Sequence, residues 1–131
     1  MEGHPDVRHV FAARKSPDLP EMECLTCDKV NEYDEPCMSN SATFSKGGSY
    51  FVWTCQGSYA VPLITIVETK TKDVIHKWET NSALHEQLAG KALPTFKNLF
   101  VDVADGFQAQ VRLILPHDFD ETKKYPMLIN T

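Results

Sequence analysis

The four cysteines of this 131-residue chain are the residues whose type and spacing could most readily do chemistry. Cys24 and Cys27 form a Cys-Leu-Thr-Cys motif, and Cys37 and Cys55 follow at wider intervals. Cysteines can ligate zinc, exchange disulfides with other thiols or pair with one another as structural bridges. Each of these roles requires a different spacing of the cysteines or different secondary structure around them.

The spacing of the cysteines favours two disulfides, Cys24–Cys27 and Cys37–Cys55. A zinc ribbon needs two paired knuckles, and Cys37 and Cys55 stand too far apart to form the second one. A thioredoxin-like motif needs a strand before it and a helix after it, but residues 28–36 read DKVNEYDEP, which is a loop sequence. Zinc binding, redox catalysis and four unpaired buried thiols remain the alternatives. Disulfides would indicate an oxidising compartment.

The second bridge would also contribute to stability. It closes a loop of about nineteen residues, which in the chain-entropy model stabilises the fold by about 3 kcal/mol.

The five histidines do not form a metal-binding pattern. No H-x-H or H-E-x-x-H motif joins them, and they are spread over several predicted elements. They are His4, His9, His76, His85 and His117. We therefore predict surface or strand-face histidines, with no metal and no cofactor.

Two other polar groups could suggest a site. Asp118, Asp120 and Glu121 resemble a carboxylate cluster, but no glycine and no regular ligand spacing accompany them, so a solvated loop is predicted. Ser58, in the segment QGSYA at 56–60, lacks the Gly-x-Ser-x-Gly spacing of a nucleophile elbow and lies in a predicted strand-to-strand turn. The sequence therefore offers no catalytic and no substrate-binding residue.

Before residue 80 the chain has the composition of β-strands joined by turns. The predicted strands are Val7 to Ala12, one beginning at Ala42, Tyr50 to Cys55, Val61 to Thr69 and Val74 to Glu79. The last three form a predicted meander, on which Trp53 and Trp78 are expected to be core residues. The acidic stretch from 18 to 36 is predicted to be a loop.

The periodicity changes near residue 80. Asn81 or Ser82 can cap a short helix there. Leu84 and Leu88 lie one turn apart on this helix, and Gly90 ends it. A short helix between two groups of strands is a natural linker.

The last part of the chain begins a second group of strands. Two strand-like runs, 95–103 and 107–115, flank Asp105-Gly106, a dipeptide typical of β-hairpin turns. The apolar run at 127–129 follows a Tyr-Pro step and is predicted to be a buried central strand. Such a strand needs neighbours that these residues do not supply, so we expect a piece of a larger protein.

Composition excludes several classes of function. Hydrophobic residues make up 42% and charged residues 24% of the chain, which is typical of globular sequence. The net charge of −5 and the absence of a basic run argue against nucleic acid as a partner. No apolar run is long enough to span a membrane, and residues 1–15 lack the apolar core of a signal peptide.

Several segments of the chain together match one known family. They are CLTC at 24–27, FSKGGSYFVWTC ending at Cys55, Gly57, ETNSAL at 79–84 and ILPHDFDETKKYPMLI at 114–129. In these segments the chain resembles the dipeptidyl peptidase IV-type serine peptidases of the prolyl oligopeptidase group. These segments occur in order and cover nearly the whole chain. One departure is Ser58, where the family usually has proline, and it affects only a loop.

The resemblance implies a mainly β fold with parts of two domains. Residues 1–79 would be the last blade or blades of an eight-bladed β-propeller. Residues 80–93 would be a short linker helix. Residues 94–131 would be the first strands of an incomplete α/β-hydrolase domain.

The resemblance also implies a function for the parent protein. It would be a serine exopeptidase that removes N-terminal Xaa-Pro or Xaa-Ala dipeptides from peptides. It would form a homodimer and be extracellular, either secreted or as the ectodomain of a type II membrane protein, with its targeting segment outside this chain.

In the family, the nucleophile elbow and its aspartate and histidine lie later in the chain. The paired glutamates that hold the substrate's ammonium group also lie outside this stretch. This stretch alone is therefore expected to be inactive. Two further interpretations stay open, namely a fragment of a non-catalytic accessory relative and a stand-alone disulfide-bonded binding module.

Overall fold

The computed structural model describes residues 6–14, 21–57 and 60–130. The chain divides into two units, Met1–Ala89 and Gly90–Thr131. The described residues are mainly β, with antiparallel sheets and one α-helix. The mainly β class predicted from the sequence is thus confirmed.

The first unit contains a short strand pair and a larger sheet. Its strands are β1 (Phe11–Arg14), β2 (Glu21–Cys24), β3 (Ser39–Phe44), β4 (Tyr50–Gln56), β5 (Leu63–Glu68) and β6 (Val74–Glu79). β1 pairs with β2, and the other four form an antiparallel sheet in the order β3-β4-β5-β6. Each strand of the sheet lies beside its neighbour in sequence, so the predicted meander is confirmed and β3 extends it.

One face of this sheet forms the core. Side chains along β4 and β5 alternate between buried and half-exposed positions, as expected for strands with one packed face. The buried apolar cluster consists of Leu25, Cys37, Phe51, Trp53, Cys55, Leu63 and Val67. Phe51 and Trp53 are each only 1% exposed and supply the largest apolar surfaces. The core position predicted for Trp53 is therefore confirmed.

The core position predicted for Trp78 is wrong. Its side chain is 64% exposed, and every residue of β6 is exposed. The pairing of β5 with β6 also shifts register twice, between Ile64 and Thr65 and between Ile66 and Val67. β6 is the edge strand of the sheet, and because all six of its residues are exposed, neither face of this strand packs against the core.

The stretch from 18 to 36 is not entirely a loop. Its part at 21–24 forms β2, paired with β1 in a register that joins Cys24 to Phe11. This strand is short and rich in glutamate, and its partner lies before the loop, so its own sequence gives little strand signal. Residues 18–20 lie outside the described residues.

The first predicted strand, Val7 to Ala12, is divided between two partners. Arg8 forms a parallel bridge with Ser39, donating its N–H to the Met38 carbonyl at 2.8 Å. Only from Phe11 does the backbone pair with β2. Because the segment before Phe11 lies along β3, that strand also begins earlier than predicted, at Ser39 rather than at Ala42.

The helix α1 (Ser82–Leu88) forms where it was predicted. Asn81 occupies the N-cap position in a left-handed conformation, with φ 53°, and makes no side-chain cap. Its amide Nδ2 instead donates to the Pro62 carbonyl at 2.8 Å, which ties the helix start to the residue before β5. No helix in the described part of the chain combines the length and apolar character needed to cross a bilayer.

The second unit is built on one hairpin. β7 (Thr95–Asp102) pairs with β8 (Gln108–Leu115) in an unbroken antiparallel register. Asp105 and Gly106 in the turn have φ values of 62° and 76°, a region that glycine and aspartate tolerate better than most residues. The predicted Asp-Gly hairpin is therefore confirmed.

The predicted buried strand at 127–129 is not formed. Met127, Leu128 and Ile129 are 73%, 101% and 76% exposed, and they belong to no strand. A central strand needs a partner along its edge, and in the described residues of this unit β7 and β8 pair only with each other. The segment therefore has no backbone ladder to join.

Candidate functional site

The first predicted disulfide is present at the end of β2. Cys24 is bonded to Cys27, with their Cα atoms 5.8 Å apart. Cys24 is half-buried, whereas Cys27 is exposed to solvent. The bridge closes the short CLTC turn next to the β1–β2 pair.

The second predicted disulfide lies in the core. Cys37, in the loop before β3, is bonded to Cys55 on β4, with Cα atoms 5.1 Å apart. The two residues are 3% and 0% exposed, so the bridge is shielded from reductants. All four cysteines are paired, which makes the alternative of unpaired buried thiols wrong.

A buried asparagine links the second disulfide to the core. Trp53 Nε1 donates to Asn40 Oδ1 at 2.8 Å, and Asn40 Nδ2 donates to the Cys37 carbonyl at 2.7 Å and to the Arg8 carbonyl at 3.0 Å. Asn40 is 2% exposed, so these bonds satisfy an amide that cannot reach water. Sequence reasoning missed it, because a Ser-Asn-Ser run at a strand start gives no sign of burial.

A second set of polar contacts, between His9, Thr26 and Asn40, lies next to the CLTC turn that the first disulfide closes. His9 Nδ1 lies 3.2 Å from Thr26 Oγ1 and 3.3 Å from Asn40 Nδ2. Thr26, which is 0% exposed, also accepts a hydrogen bond from the Val10 N–H at 3.1 Å. The segment before β1 is thereby fixed against the CLTC turn, since its hydrogen bonds to Thr26 and Asn40 are shielded from water.

This arrangement brings three potential metal ligands together. One ring nitrogen of His9 and the sulfur atoms of Cys24 and Cys27 all lie within 4.8 Å of one another. In the structure the two sulfur atoms are bonded to each other, so neither is a thiolate. The prediction of scattered histidines overlooked this cluster, because His9 and the CLTC motif are distant in sequence and meet only through the pairing of β1 with β2.

The other histidines contribute no comparable group. His85 on α1 stacks on Tyr33, with ring centroids 3.5 Å apart and planes 9° from parallel. His76 and His117 are exposed, and His4 lies outside the described residues.

The loop that carries Tyr33 is held by Asn31. Its Oδ1 accepts from the N–H groups of Tyr33 and Glu35, each at 2.9 Å, and its Nδ2 donates to the Val61 carbonyl at 3.2 Å. Asn31 is 5% exposed and is therefore a structural residue rather than a surface one.

The acidic segment that contains Asp118, Asp120 and Glu121 is a loop, as predicted from the sequence. Asp120 Oδ1 accepts from the Thr122 hydroxyl at 2.7 Å and from the Thr122 N–H at 2.9 Å. These two bonds, with a smaller contribution from Lys123, lower the pKa of Asp120 below its ordinary value. Within the described residues, Asp118, Asp120 and Glu121 do not converge on a common point.

A shallow apolar cleft of about 260 Å³ lies at one end of the four-stranded sheet. Its lining consists of Thr43, Phe44, Ser45, Tyr50, Phe51, Val52 and Ile66. None of these side chains carries a charge at neutral pH, and the Ser45 hydroxyl accepts a hydrogen bond from the Tyr50 N–H at 3.2 Å. The cleft therefore offers mainly apolar contact. Ser58, the serine considered as a nucleophile from the sequence, lies outside the described residues.

The comparison with family models finds no match to this chain. Comparison with curated proteins finds venom dipeptidyl peptidase 4 of Vespa velutina, 39% identical over 107 residues, which is 82% of this chain. Venom dipeptidyl peptidase 4 of Apis mellifera is 38% identical over 127 residues, or 97% of the chain. A prolyl endopeptidase FAP of Bos taurus is 31% identical over 131 residues, or 98% of the chain.

The match covers only a small part of each relative. The chain spans 13% of the Vespa velutina protein and 16% of the other two. The similarity nevertheless extends along almost the whole of this chain. The chain is therefore a homologue of the dipeptidyl peptidase 4 family over most of its length.

Proposed function

We propose that this chain is the segment of a dipeptidyl peptidase 4-type serine exopeptidase in which a β-propeller ends and an α/β-hydrolase domain begins. The observation that carries the proposal is the 38% identity to the Apis mellifera venom dipeptidyl peptidase 4 over 127 residues. The propeller part is residues 1–79, the linker is residues 80–93, and the hydrolase part is residues 94–131. The division of the chain after Ala89 supports this arrangement.

The four-stranded sheet of the first unit supports its role as a propeller blade. Blades are four-stranded antiparallel meanders that pack against neighbours through both faces. One face of this sheet is packed within the unit, while Val52, Ile64 and Ile66 on the other face remain half-exposed. Apolar residues on that second face are suited to contact with an adjoining blade.

The second unit supports a role as the start of a larger domain. Its hairpin exposes large apolar side chains, with Phe107 at 70%, Ile114 at 63% and Phe100 at 52%. A hairpin of this kind is marginal in water by itself and becomes stable when further strands or helices cover it. In the parent protein the rest of the hydrolase sheet would supply that cover.

The proposed reaction of the parent protein is hydrolysis of the peptide bond after the second residue of a peptide with a free amino terminus. Proline or alanine would be the preferred second residue. A serine, activated by a histidine that an aspartate orients, would attack the scissile carbonyl, and no cofactor takes part. This chain would contribute framework only, since the triad and the ammonium-binding glutamates would come from other parts of the parent protein.

The disulfides support an extracellular location for the parent protein. Buried bridges such as Cys37–Cys55 form and persist in oxidising environments. The parent protein would be secreted or displayed as an ectodomain, and it would act on peptides as a homodimer.

Two chromogenic substrates test the proposed activity. The purified parent protein should release the chromophore from Gly-Pro-p-nitroanilide and not from the same compound with an acetylated amino terminus. A serine-directed inhibitor should abolish the release. A folded parent protein that cleaves neither substrate would contradict the proposal and support a non-catalytic accessory role.

A second candidate is a proline-specific endopeptidase. It is favoured by the 31% identity to a protein named prolyl endopeptidase FAP. Such an enzyme would not need a free amino terminus, so efficient cleavage of the acetylated substrate would select it over the exopeptidase.

A further inference from the structure

The cluster formed by His9, Cys24 and Cys27 combines the ligand types that zinc prefers. Its three candidate ligand atoms lie within 4.8 Å of one another, but the two sulfurs are bonded at 2.04 Å. They would have to move to roughly 3.8 Å apart to share one tetrahedral zinc ion. Two sulfurs and one imidazole nitrogen are also the donor set of three-ligand zinc sites, in which a fourth position stays open. The present bond between Cys24 and Cys27 is what keeps these donors from acting as a ligand set.

This disulfide is more accessible than the second one. Cys27 is exposed, so a reductant in solution can approach its sulfur atom. Cys37 and Cys55 are 3% and 0% exposed and are shielded from the same reagent. Thiol–disulfide exchange requires access to a sulfur atom, so the first bridge should open before the second.

The first bridge also contributes less to the fold. It joins residues at a sequence separation of 3, whereas the second joins residues at a separation of 18. A shorter closed loop removes less entropy from the unfolded chain. The fold should therefore survive reduction of Cys24–Cys27 alone.

Hydrogen bonds would hold the ligands in place after reduction. The Leu25 N–H donates to the Val10 carbonyl at 2.8 Å, and the Val10 N–H donates to Thr26 Oγ1 at 3.1 Å. Both bonds involve the two residues between the cysteines, so the turn is fixed independently of the bridge. His9 is oriented by Thr26 at 3.2 Å, the kind of outer contact that positions a ligating imidazole.

We propose that opening the Cys24–Cys27 bridge creates a site for zinc or a similar divalent cation, with both cysteine thiolates and His9 as ligands. The fourth position would be taken by water, because Cys27 faces solvent. The oxidised protein would not bind the metal at this site. The device would therefore convert a change in thiol redox state into metal binding.

The chemistry balances with a small thiol as the reductant. Two thiol molecules give up two electrons and become one disulfide, the bond between Cys24 and Cys27 breaks, and two protons end on the cysteine sulfurs. Binding of the cation then displaces those two protons and forms two metal–sulfur bonds and one metal–nitrogen bond.

Cobalt(II) titration of the full chain tests the proposal. A mild dithiol is first used to open only the exposed bridge, and alkylation followed by mass spectrometry confirms that Cys37–Cys55 is intact. We expect one cobalt per reduced chain, with the charge-transfer and ligand-field absorption of a tetrahedral thiolate site. Zinc should displace the cobalt. The oxidised chain should give no such absorption.

Variants identify the ligands. His9→Gln should weaken binding by at least about tenfold, and His9→Asn provides a second variant should the first destabilise the fold. His76→Gln, which changes an exposed histidine on β6, should bind like the unaltered chain. Cys24→Ser with Cys27→Ser should abolish the thiolate absorption.

Three results would overturn the proposal. The first is equal cobalt binding by the oxidised and reduced chains. The second is unchanged affinity in both His9 variants. The third is loss of the near-ultraviolet circular dichroism of the fold when only the exposed bridge is reduced, because the hydrogen bonds would then have failed to hold the ligands.

Discussion

At the residue scale, Asn40 connects three separate parts of the first unit. Its side chain bonds to Trp53 on β4, to the backbone at Cys37 and to the backbone at Arg8. Each of these groups lies where water is excluded or restricted, so removal of the amide leaves them without a replacement partner. Such a residue affects stability more than its small size suggests.

Asn40→Ala is expected to lower the free energy of unfolding by about 2–3 kcal/mol, since it leaves the Trp53 indole N–H buried and unpaired. Urea denaturation followed by tryptophan fluorescence measures this change. Gln87→Ala removes an exposed amide from α1 and should change stability by less than about 0.5 kcal/mol. Equal effects of the two substitutions would contradict the structural role of Asn40.

Asp120 provides a residue-scale prediction on pH. Its pKa lies below the ordinary value of 3.8 because the Thr122 hydroxyl and N–H donate to it. The carboxylate therefore contributes stability above its ordinary pKa, and this contribution is lost as the pH falls through the lowered pKa.

Thr122→Ala removes the first of these donors and keeps the second. The pKa of Asp120 should then rise toward 3.8, as measured by a pH titration of its carboxyl carbon by NMR. Thr71→Ala, which removes a threonine bonded to Glu68, should leave the Asp120 titration unchanged. An unaltered titration in Thr122→Ala would show that the side-chain bond does not set the pKa.

At the scale of elements, the two disulfides differ in environment and in the loop they close. Replacing Cys37 and Cys55 together by alanine should cost about 3 kcal/mol, and replacing Cys24 and Cys27 should cost about 2 kcal/mol. Packing widens this difference, because only Cys37 and Cys55 lie in the buried cluster. Chemical denaturation of the two double variants measures both losses in the free energy of unfolding. A larger loss from the exposed pair would contradict this ordering.

The strands also differ in how well they are supported. β4 and β5 each have a partner on both edges and a buried face, whereas β7 and β8 have one partner each and no buried residue. Local opening is easiest where few apolar contacts protect the backbone hydrogen bonds.

Hydrogen exchange should therefore be slower at 50–67 than at 95–115, and fastest at 125–130. Amide exchange of the soluble chain, read by mass spectrometry, measures the three segments together. Equal protection in all three, in a chain that stays monomeric at high concentration, would show that the second unit is self-sufficient.

Elements that depend on local signals were predictable from the sequence. The Asp105-Gly106 turn and the alternation of buried and exposed residues along β4 are each indicated by a few consecutive residues of the sequence. The exposed position of Trp78 was not predictable, because it depends on the place of β6 at the edge of the sheet, where neither face of the strand is covered. The cluster of His9 with the CLTC motif was missed for a similar reason, since it forms only when β1 pairs with β2.

The predicted strand at 127–129 failed for a different reason. Its apolar residues favour burial, but burial of a strand also requires a partner for its backbone. The described residues of the second unit provide no such partner. An apolar run therefore indicates that a segment favours burial, but it does not show that a neighbouring strand is present to pair with its backbone.

At the scale of the whole chain, the described residues form two units, each built on antiparallel strands. The first is a disulfide-bonded sheet, and the second is a hairpin with exposed apolar side chains such as Phe107 and Ile114. We expect the isolated chain to be weakly folded and prone to association, because these surfaces lack the cover that a longer homologue would supply. The peptidase activity proposed for the parent protein would depend on residues outside this chain.

A peptidase assay shows whether the isolated chain has activity of its own. The chain and the parent protein are compared at equal molar concentration with Gly-Pro-p-nitroanilide, with a buffer blank as the control. We predict that the parent protein releases the chromophore and that the isolated chain does not exceed the blank. Release by the isolated chain that a serine-directed inhibitor abolishes would show that these 131 residues contain a catalytic site of their own.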